Sequence, residues 1–108
     1  MWTLKLIWTE QALSDLEEIE AFIANDNPRA ATRVAKQVYR DALVLRRNPY
    51  LGRVGQIAGT RELIIHDLPY LLVYEVHSQR VAQHVRILAV FQTSRAWWLA
   101  SNHHDEET

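Results

Sequence analysis

The sequence predicts an α+β fold, in which a helical hairpin packs on a four-stranded antiparallel sheet in the order β-α-α-β-β-β. Two segments of the first half place apolar residues at helical spacing, and four short segments alternate or are rich in β-branched and aromatic residues. All three glycines fall between these groups, in a segment typical of a loop. The 108 residues suffice for a single domain, which we place at residues 1–98, followed by a polar acidic tail at 99–108.

The N-terminal residues predict a strand that leads into a helix. Alternate positions of residues 2–8 are apolar, which gives the strand one buried face. Thr9 is a suitable helix N-cap, because its hydroxyl accepts a hydrogen bond from a free amide of the first turn. The helix is predicted over residues 10–24, where apolar residues recur every three or four positions opposite an acidic face.

A second helix follows after a short break and forms a hairpin with the first. Asn27 caps this helix, and Pro28 occupies its first position, where no amide donor is needed. The apolar stripe continues to Leu45, the basic pair at 46–47 suits the last turn, and Asn-Pro at 48–49 ends the helix. The short joint predicts that the two helices run antiparallel.

Three more strands are predicted after the glycine-containing loop at 48–60. They cover residues 61–66, 70–76 and 81–92, and the turns between them are short, so neighbouring strands pair antiparallel. The first strand joins this sheet, because its Trp and Leu side chains would otherwise remain exposed. Tyr70 and Tyr74 share the apolar side of their strand and are predicted to lie in the core. Residues 93–98 are predicted to form a last helical turn.

Composition excludes several classes of protein and of site. An apolar fraction of 48% and a charged fraction of 23% are ordinary for a globular domain and exclude collagen-like and low-complexity chains. No apolar run approaches the length of a membrane-spanning helix, and no signal-peptide pattern is present, so we expect a cytoplasmic protein without membrane contact. The absence of cysteine excludes thiol chemistry, and no metal-ligand spacing occurs, so we expect neither a metal nor a cofactor.

Charge is distributed unevenly along the chain. Residues 1–27 contain one basic and six acidic residues, whereas residues 28–104 contain eleven basic and four acidic residues. Ten of the twelve basic residues are arginines, whose planar guanidinium pairs bidentately with phosphate or carboxylate. This pattern indicates either a cationic face for nucleic acid or an acidic partner, or an ordinary solvated surface with ion pairs.

Several segments together resemble a known family. Residues 59–65 (GTRELII), 69–76 (PYLLVYEV) and 85–97 (VRILAVFQTSRAW) carry most of the likeness, which residues 10–19 and 47–53 extend toward the N-terminus. In their order and spacing these segments resemble the RelE/ParE superfamily of type II toxin–antitoxin toxins. The resemblance covers about residues 3–98 and implies the same β-α-α-β-β-β fold.

The resemblance also implies a function and a partner. It implies a growth-inhibiting toxin, of a kind associated with plasmid stabilisation, that a cognate antitoxin neutralises in a toxin–antitoxin hetero-oligomer. RelE-like members enter the ribosomal A site and cut mRNA, whereas ParE-like members poison DNA gyrase. We expect the antitoxin to lay an amphipathic helix or strand on apolar surface, with its acidic residues facing the arginine-rich side.

The chain departs from many relatives at the end of its last strand. Where they have a His followed by Arg-x-Trp, this chain has Gln92, then Arg95 and Trp97. RelE-type ribonucleases often use a C-terminal Tyr or His, but no Tyr follows Tyr74 in this chain. Whether the protein is an enzyme is therefore left open. If it is one, the resemblance makes it a ribosome-dependent endoribonuclease.

Six residues are candidates for function. Cleavage of RNA through its 2′-hydroxyl needs an acid, a base and cations that stabilise the developing phosphate charge. The catalytic candidates are Arg61, Arg86 and Arg95. The candidates for target or nucleic-acid binding are Arg53, Gln92 and Trp97. The alternatives to a functional role are structural. Arg61 and Arg86 would form ion pairs with Glu62 and Glu75, and Trp97 would pack over the sheet.

Three hypotheses of different classes remain open from the sequence. The first is a toxin that acts by binding alone, on gyrase or another essential machine. The second is a ribosome-dependent mRNA endonuclease of RelE type that uses Arg61, Arg86 and Arg95. The third is a relative without toxicity whose role in the antitoxin complex is regulatory.

Overall fold

The predicted α+β class is confirmed by a computed structural model of the chain, which describes residues 3–78 and 83–94. Its elements are β1 (Lys5–Trp8), α1 (Glu10–Ala24), α2 (Pro28–Val44), β2 (Arg53–Val54), β3 (Arg61–Ile64), β4 (Tyr70–His77) and β5 (His84–Gln92). No helix within the described residues is long and apolar enough to cross a membrane. Arg95, Trp97, most of the predicted last turn and the tail at 99–108 lie outside the described residues.

The sheet has the strand order β1-β5-β4-β3-β2 and differs from the expectation in two details. First, β1 pairs with β5 in parallel, whereas the other pairs are antiparallel. Antiparallel pairing was inferred from short turns, but the connection from β1 to the sheet passes through two helices and leaves its direction free. Second, the loop contributes a fifth strand, β2, which is only two residues long and too short to show an alternating pattern.

Both predicted helix N-caps are confirmed. The Thr9 hydroxyl accepts a hydrogen bond from the Ala12 amide at 3.2 Å and donates one to the Ile87 carbonyl at 2.7 Å, which ties the start of α1 to β5. The Asn27 side chain accepts from the Ala30 amide at 3.1 Å, with Pro28 in the first turn of α2. Both caps therefore fix where the helices begin.

The second helix ends at Val44, before the basic pair that was expected in its last turn. The chain tightens there into successive i→i+3 hydrogen bonds, as often happens at helix ends. Arg46 contacts β1 in two ways, since its Nε donates to the Leu4 carbonyl at 2.9 Å and its own carbonyl accepts from the Leu4 amide at 2.8 Å. The basic residue thus connects the end of α2 to the first strand.

The core lies between the helical hairpin and one face of the sheet. Its most fully buried large side chains are Leu16, Val38, Leu45, Ile65, Leu72, Tyr74, Val85 and Ile87. Tyr70 and Tyr74 are both buried, as the sequence predicted. Burial of each large side chain stabilises the fold by roughly 1.5–3 kcal/mol relative to exposure, so this face supplies most of the driving force.

The hydroxyl of Tyr74 fixes the glycine loop to the sheet. It accepts a hydrogen bond from the Gly52 amide at 2.8 Å and donates one to the Pro49 carbonyl at 2.8 Å. A Cβ at position 52 would lie 2.7 Å from both the Glu62 carbonyl oxygen and the Tyr74 hydroxyl, so only glycine fits. Burial raises the pKa of the Tyr74 phenol, and the Gly52 hydrogen bond and the Arg61 charge oppose this rise only in part.

We expect the Tyr74→Phe variant to be less stable than the wild type by about 1–3 kcal/mol, because it leaves the buried Gly52 amide and Pro49 carbonyl without their partner. Urea unfolding followed by circular dichroism measures the difference. The matched control is Tyr39→Phe. Because Tyr39 is exposed, the free energy of unfolding of this variant differs from that of the wild type by less than about 0.5 kcal/mol. Equal losses in both variants would contradict the anchoring role.

The raised pKa of Tyr74 also predicts a pH dependence. The folded phenol holds its proton more tightly than the unfolded one, so its contribution to stability is complete below the unfolded pKa. That contribution is lost as pH rises through the folded pKa, above about pH 10. We expect the free energy of unfolding of the wild type to fall more steeply above about pH 10 than that of Tyr74→Phe. Parallel slopes would contradict this prediction.

Candidate functional site

Arg61 holds the loop in place from the helix-facing side of the sheet. Its Nη1 donates to the Gly52 carbonyl at 2.8 Å and lies 3.3 Å from the Tyr50 carbonyl. Its guanidinium carbon lies 5.0 Å from the centroid of the Tyr50 ring, within the range of a cation–π contact. The guanidinium of this catalytic candidate therefore makes hydrogen bonds within its own domain.

Glu62 holds the same loop from the opposite side. Its carboxylate is buried. One carboxylate oxygen accepts a hydrogen bond from Arg53 Nε at 3.0 Å and lies 2.9 Å from Arg53 Nη2. The other accepts a hydrogen bond from the Gln56 amide at 3.1 Å. The acid thus pairs with Arg53, whereas the sequence offered Arg61 as its alternative partner. The reason is geometric: Arg61 and Glu62 are successive in a strand and project from opposite faces.

The strand register separates Arg61 from Arg86. Arg61 pairs with Tyr74 across β3 and β4, and Arg86 pairs with Glu75 across β5 and β4. Because Tyr74 and Glu75 are successive in β4, their cross-strand partners lie on opposite faces of the sheet. The structure does not bring these two catalytic candidates together.

Arg86 lies near a group of ionisable side chains, of which sequence reasoning missed His77. Glu75 lies across from Arg86 in the β4–β5 pair, and its carboxylate oxygen lies 2.9 Å from His77 Nε2. The His77 ring stacks on the His84 ring at a centroid distance of 4.5 Å. Residue 77 was assigned to a turn, but β4 extends to His77 and β5 begins at His84. Continuing the alternation of β4 by one residue would have placed His77 on the same face as Glu75.

Gln92 lies at the other end of β5, roughly 20 Å from Arg86 at the spacing of residues in a strand. It is exposed and lies across from Tyr70. Gln92 lines one side of a groove of about 400 Å³, and residues of α1, among them Glu18 and Phe22, line the other. Of the two predicted binding candidates, Gln92 lies on β5 and Arg53 on β2, with β4 and β3 between them.

Asp15 closes the base of this groove. Its Oδ2 accepts from the Val90 amide at 3.0 Å, and its Oδ1 accepts from the Gln11 side chain at 2.8 Å. The Val90 amide lies beyond the end of β1, where none of the described strands pairs with β5 on that side. The carboxylate therefore takes the place of a strand partner, a role that the sequence showed only as part of an acidic helix face.

The rest of the outer sheet face, opposite the helices, is mainly apolar. The strand register places Ile64, Leu71, Val73, Ala89 and Phe91 on it. A site that transfers a phosphoryl group needs cations that converge on one point. Among residues 3–78 and 83–94 the arginine candidates are dispersed instead, and no group of three or more His, Asp or Glu side chains is placed to hold a metal ion.

Residues 6–97 match a protein-family model described as the ParE toxin of the type II toxin–antitoxin system parDE. The chain belongs to the ParE toxin family. It is therefore the toxin component of a type II toxin–antitoxin module, and the family implies a cognate antitoxin as its partner. The resemblance to the RelE/ParE superfamily is confirmed.

Two curated relatives support this assignment. Y4kP of Sinorhizobium fredii, which is named as a toxin, is 38% identical over 93 residues, covering 86% of this chain and 92% of the relative. Toxin RelE2 of Caulobacter vibrioides is 36% identical over 72 residues, covering 67% of this chain and 80% of the relative.

Two solved structures share the fold of this ParE-family chain. A chain of the chromosomal ParDE system from P. aeruginosa superimposes with a TM-score of 0.71 at 22% identity, covering 83% of this chain and 96% of the other. A YoeB/ParE toxin from Agrobacterium tumefaciens gives a TM-score of 0.55 at 20% identity, covering 81% and 96%. At these identities the likeness concerns the fold alone.

We expect Glu62→Gln to loosen the loop while leaving the sheet intact, because the variant loses the charged pair with Arg53 and weakens the bond to the Gln56 amide. Hydrogen exchange measured by NMR should show the Gln56 amide exchanging at least about tenfold faster. Glu18→Gln, at an exposed position on α1, serves as the control and leaves that rate unchanged. Unaltered protection of Gln56 in Glu62→Gln would contradict the role given to this carboxylate.

Proposed function

We propose that this toxin arrests growth by binding to DNA gyrase and does not cleave RNA. The observation that carries the proposal is the position of Arg61 and Arg86 on opposite faces of the sheet. Membership of the ParE toxin family supports the same target class, because the resemblance implies gyrase as the target of ParE-like members. A toxin that acts by binding needs a complementary surface and no converging catalytic groups.

The state of the individual arginines supports this choice. Arg61 is committed to carbonyl groups of its own loop, and Arg53 to the buried Glu62 carboxylate. Moving either one toward a phosphate would break contacts that fix the loop, at a cost of about 1–3 kcal/mol for each buried group left without a partner. Arg86 projects from the outer face next to Glu75, whose negative charge opposes the binding of a phosphate.

One observation favours the alternative, a ribosome-dependent mRNA endonuclease. The contact between Glu75 and His77 is a carboxylate–imidazole pair of the kind that serves as general acid or base, and Arg86 lies on the same face. In this alternative the catalytic groups are His77 and Arg86, and Arg61 takes no part in the reaction.

Pulse labelling in cells tests the target. The chain is induced without its antitoxin, and incorporation of labelled thymidine and labelled methionine is followed in parallel. We expect thymidine incorporation to fall first, because blocked gyrase stops replication, while total mRNA stays intact. Early loss of methionine incorporation together with fragmented mRNA would contradict the proposal and support the endonuclease.

We expect His77→Ala to arrest growth at an inducer level within about twofold of the wild type, because the proposed action requires no proton transfer. An endonuclease that uses His77 would lose about 100-fold or more in activity. His66→Ala is the matched control, since His66 is exposed and lies outside the Glu75–His77 pair. Growth arrest that is lost in His77→Ala and retained in His66→Ala, with both proteins folded, would contradict a purely binding toxin.

A further inference from the structure

We propose that the solvent-facing side of α2 binds the phosphate backbone of duplex DNA. We name this surface the cationic row and define it as Arg29, Arg33, Lys36 and Arg40. The choice of DNA over RNA rests on the proposed function, because gyrase holds duplex DNA. The inference is carried by the geometry of the cationic row, by its cost to the helix and by its lack of partners within the described domain.

The four side chains of the cationic row lie along one line of α2. They are three or four positions apart, so they share one face of the helix. All four are exposed, and the buried residues of α2 lie on the opposite face. At a rise of about 1.5 Å per residue, the cationic row extends over about 16 Å. Duplex DNA carries about ten phosphates over this distance.

The cationic row destabilises the helix that carries it. Arg29 lies in the first turn of α2, where the partial positive charge of the helix N-terminus disfavours a cation and no acidic residue compensates. Residues 29 and 33 form a like-charged pair four positions apart, and residues 36 and 40 form another. Each such pair destabilises a helix by about 0.2–0.5 kcal/mol. Folding therefore does not account for this arrangement of charges.

The cationic row has no acidic partner in the part of the chain that the structure describes. Among residues 3–78 and 83–94, no carboxylate lies within ion-pair distance of its four basic groups. Asp41, the acidic residue of α2, accepts hydrogen bonds from the Gln37 side chain and from the His66 amide instead, each at 2.7 Å. The four cations are therefore available to an external anion.

The side chains around the cationic row favour a polyanion over an acidic protein. Between residues 29 and 40 the same face adds only Thr32, and the neighbouring Tyr39 ring packs against Trp8 at a centroid distance of 5.0 Å. The exposed Leu43 and Val44 follow only after the row has ended. A protein interface depends mainly on buried apolar anchors, and an exposed ion pair contributes only about 0–1 kcal/mol.

Duplex DNA is the polyanion that such a surface fits. A protein that neutralises phosphates of a duplex releases condensed counterions, and this release supplies affinity without any contact to the bases. Arginine adds a planar guanidinium that binds phosphate bidentately. Single-stranded nucleic acids are held largely by stacking of their bases on aromatic rings, which the cationic row does not offer.

A matched pair of lysine variants tests the cationic row. The chain has two lysines, Lys36 in the row and Lys5, which is exposed on β1. Lys36→Gln and Lys5→Gln therefore remove the same charge from two different surfaces. The probe is a fluorescein-labelled duplex of about 20 base pairs, titrated with the full-length toxin at salt concentrations of about 50–200 mM and followed by fluorescence anisotropy. Because the net charge of the chain is −1, overall charge does not attract the duplex.

The salt dependence gives a quantitative expectation. Four phosphate contacts predict that the logarithm of the binding constant falls with the logarithm of the salt concentration with a slope of about −3.6. We expect Lys36→Gln to reduce the slope to about −2.7 and to bind about eightfold more weakly at about 0.1 M salt, because one contact contributes about 0.9 logarithmic units there. We expect Lys5→Gln to keep the wild-type slope and an affinity within about twofold of it. Thermal unfolding verifies that both variants are folded.

Four results would overturn the inference. One is a wild type that does not bind the duplex at about 50 mM salt. Another is equal weakening of binding in the two lysine variants. The third is tighter binding of RNA than of duplex DNA of the same length, which would assign the cationic row to RNA. The fourth is self-association of the wild type that Lys36→Gln alone abolishes, without DNA binding, which would assign the row to an acidic face of a second copy.

The same preparation separates this inference from the proposed function. A wild-type toxin that leaves gyrase unaffected would contradict the proposed function, while the anisotropy comparison would still decide whether the cationic row binds DNA. A wild-type toxin that inhibits gyrase but does not bind the duplex would contradict only the inference about the cationic row.

Discussion

The two hydrogen bonds of the buried Tyr74 hydroxyl are the contact on which the surfaces of this toxin depend. They join the glycine loop to the central strand β4. Arg61 forms hydrogen bonds with the loop from one side of the sheet, and Glu62 does so from the other. A buried hydroxyl that satisfies two backbone groups is costly to remove, because both backbone groups would be left without their partner. The loop therefore behaves as part of the sheet.

The alternation of side chains along β4 determines on which face of the sheet each arginine lies. Tyr74 and Glu75 point in opposite directions, so the arginines across from them are divided between the two faces of the sheet. One arginine supports the loop and the other projects from the outer face. This division favours a toxin that acts through binding surfaces over one that gathers cations around a phosphate.

Sequence patterns were sufficient for the features that are local, and insufficient for those that depend on register. Thr9 and Asn27 were predicted as caps because capping involves residues three positions away. The faces of Arg61 and Arg86 were not predictable, because parity within one strand says nothing about a second strand until their pairing is known. Alternation within β3 alone places Arg61 and Glu62 on opposite faces, whereas the pairing of Glu62 with Arg53 depends on the register of β2. The direction of β1 depends on a connection through two helices.

The most direct test of a binding toxin uses purified components. Gyrase and supercoiled plasmid are incubated with the toxin, and ribosomes carrying a defined mRNA are incubated with the same preparation in parallel. The account predicts that the toxin blocks gyrase or traps it on cleaved plasmid, that added antitoxin reverses this, and that the mRNA remains intact. Cleavage of the mRNA on the ribosome, with gyrase unaffected at the same toxin concentration, would contradict it.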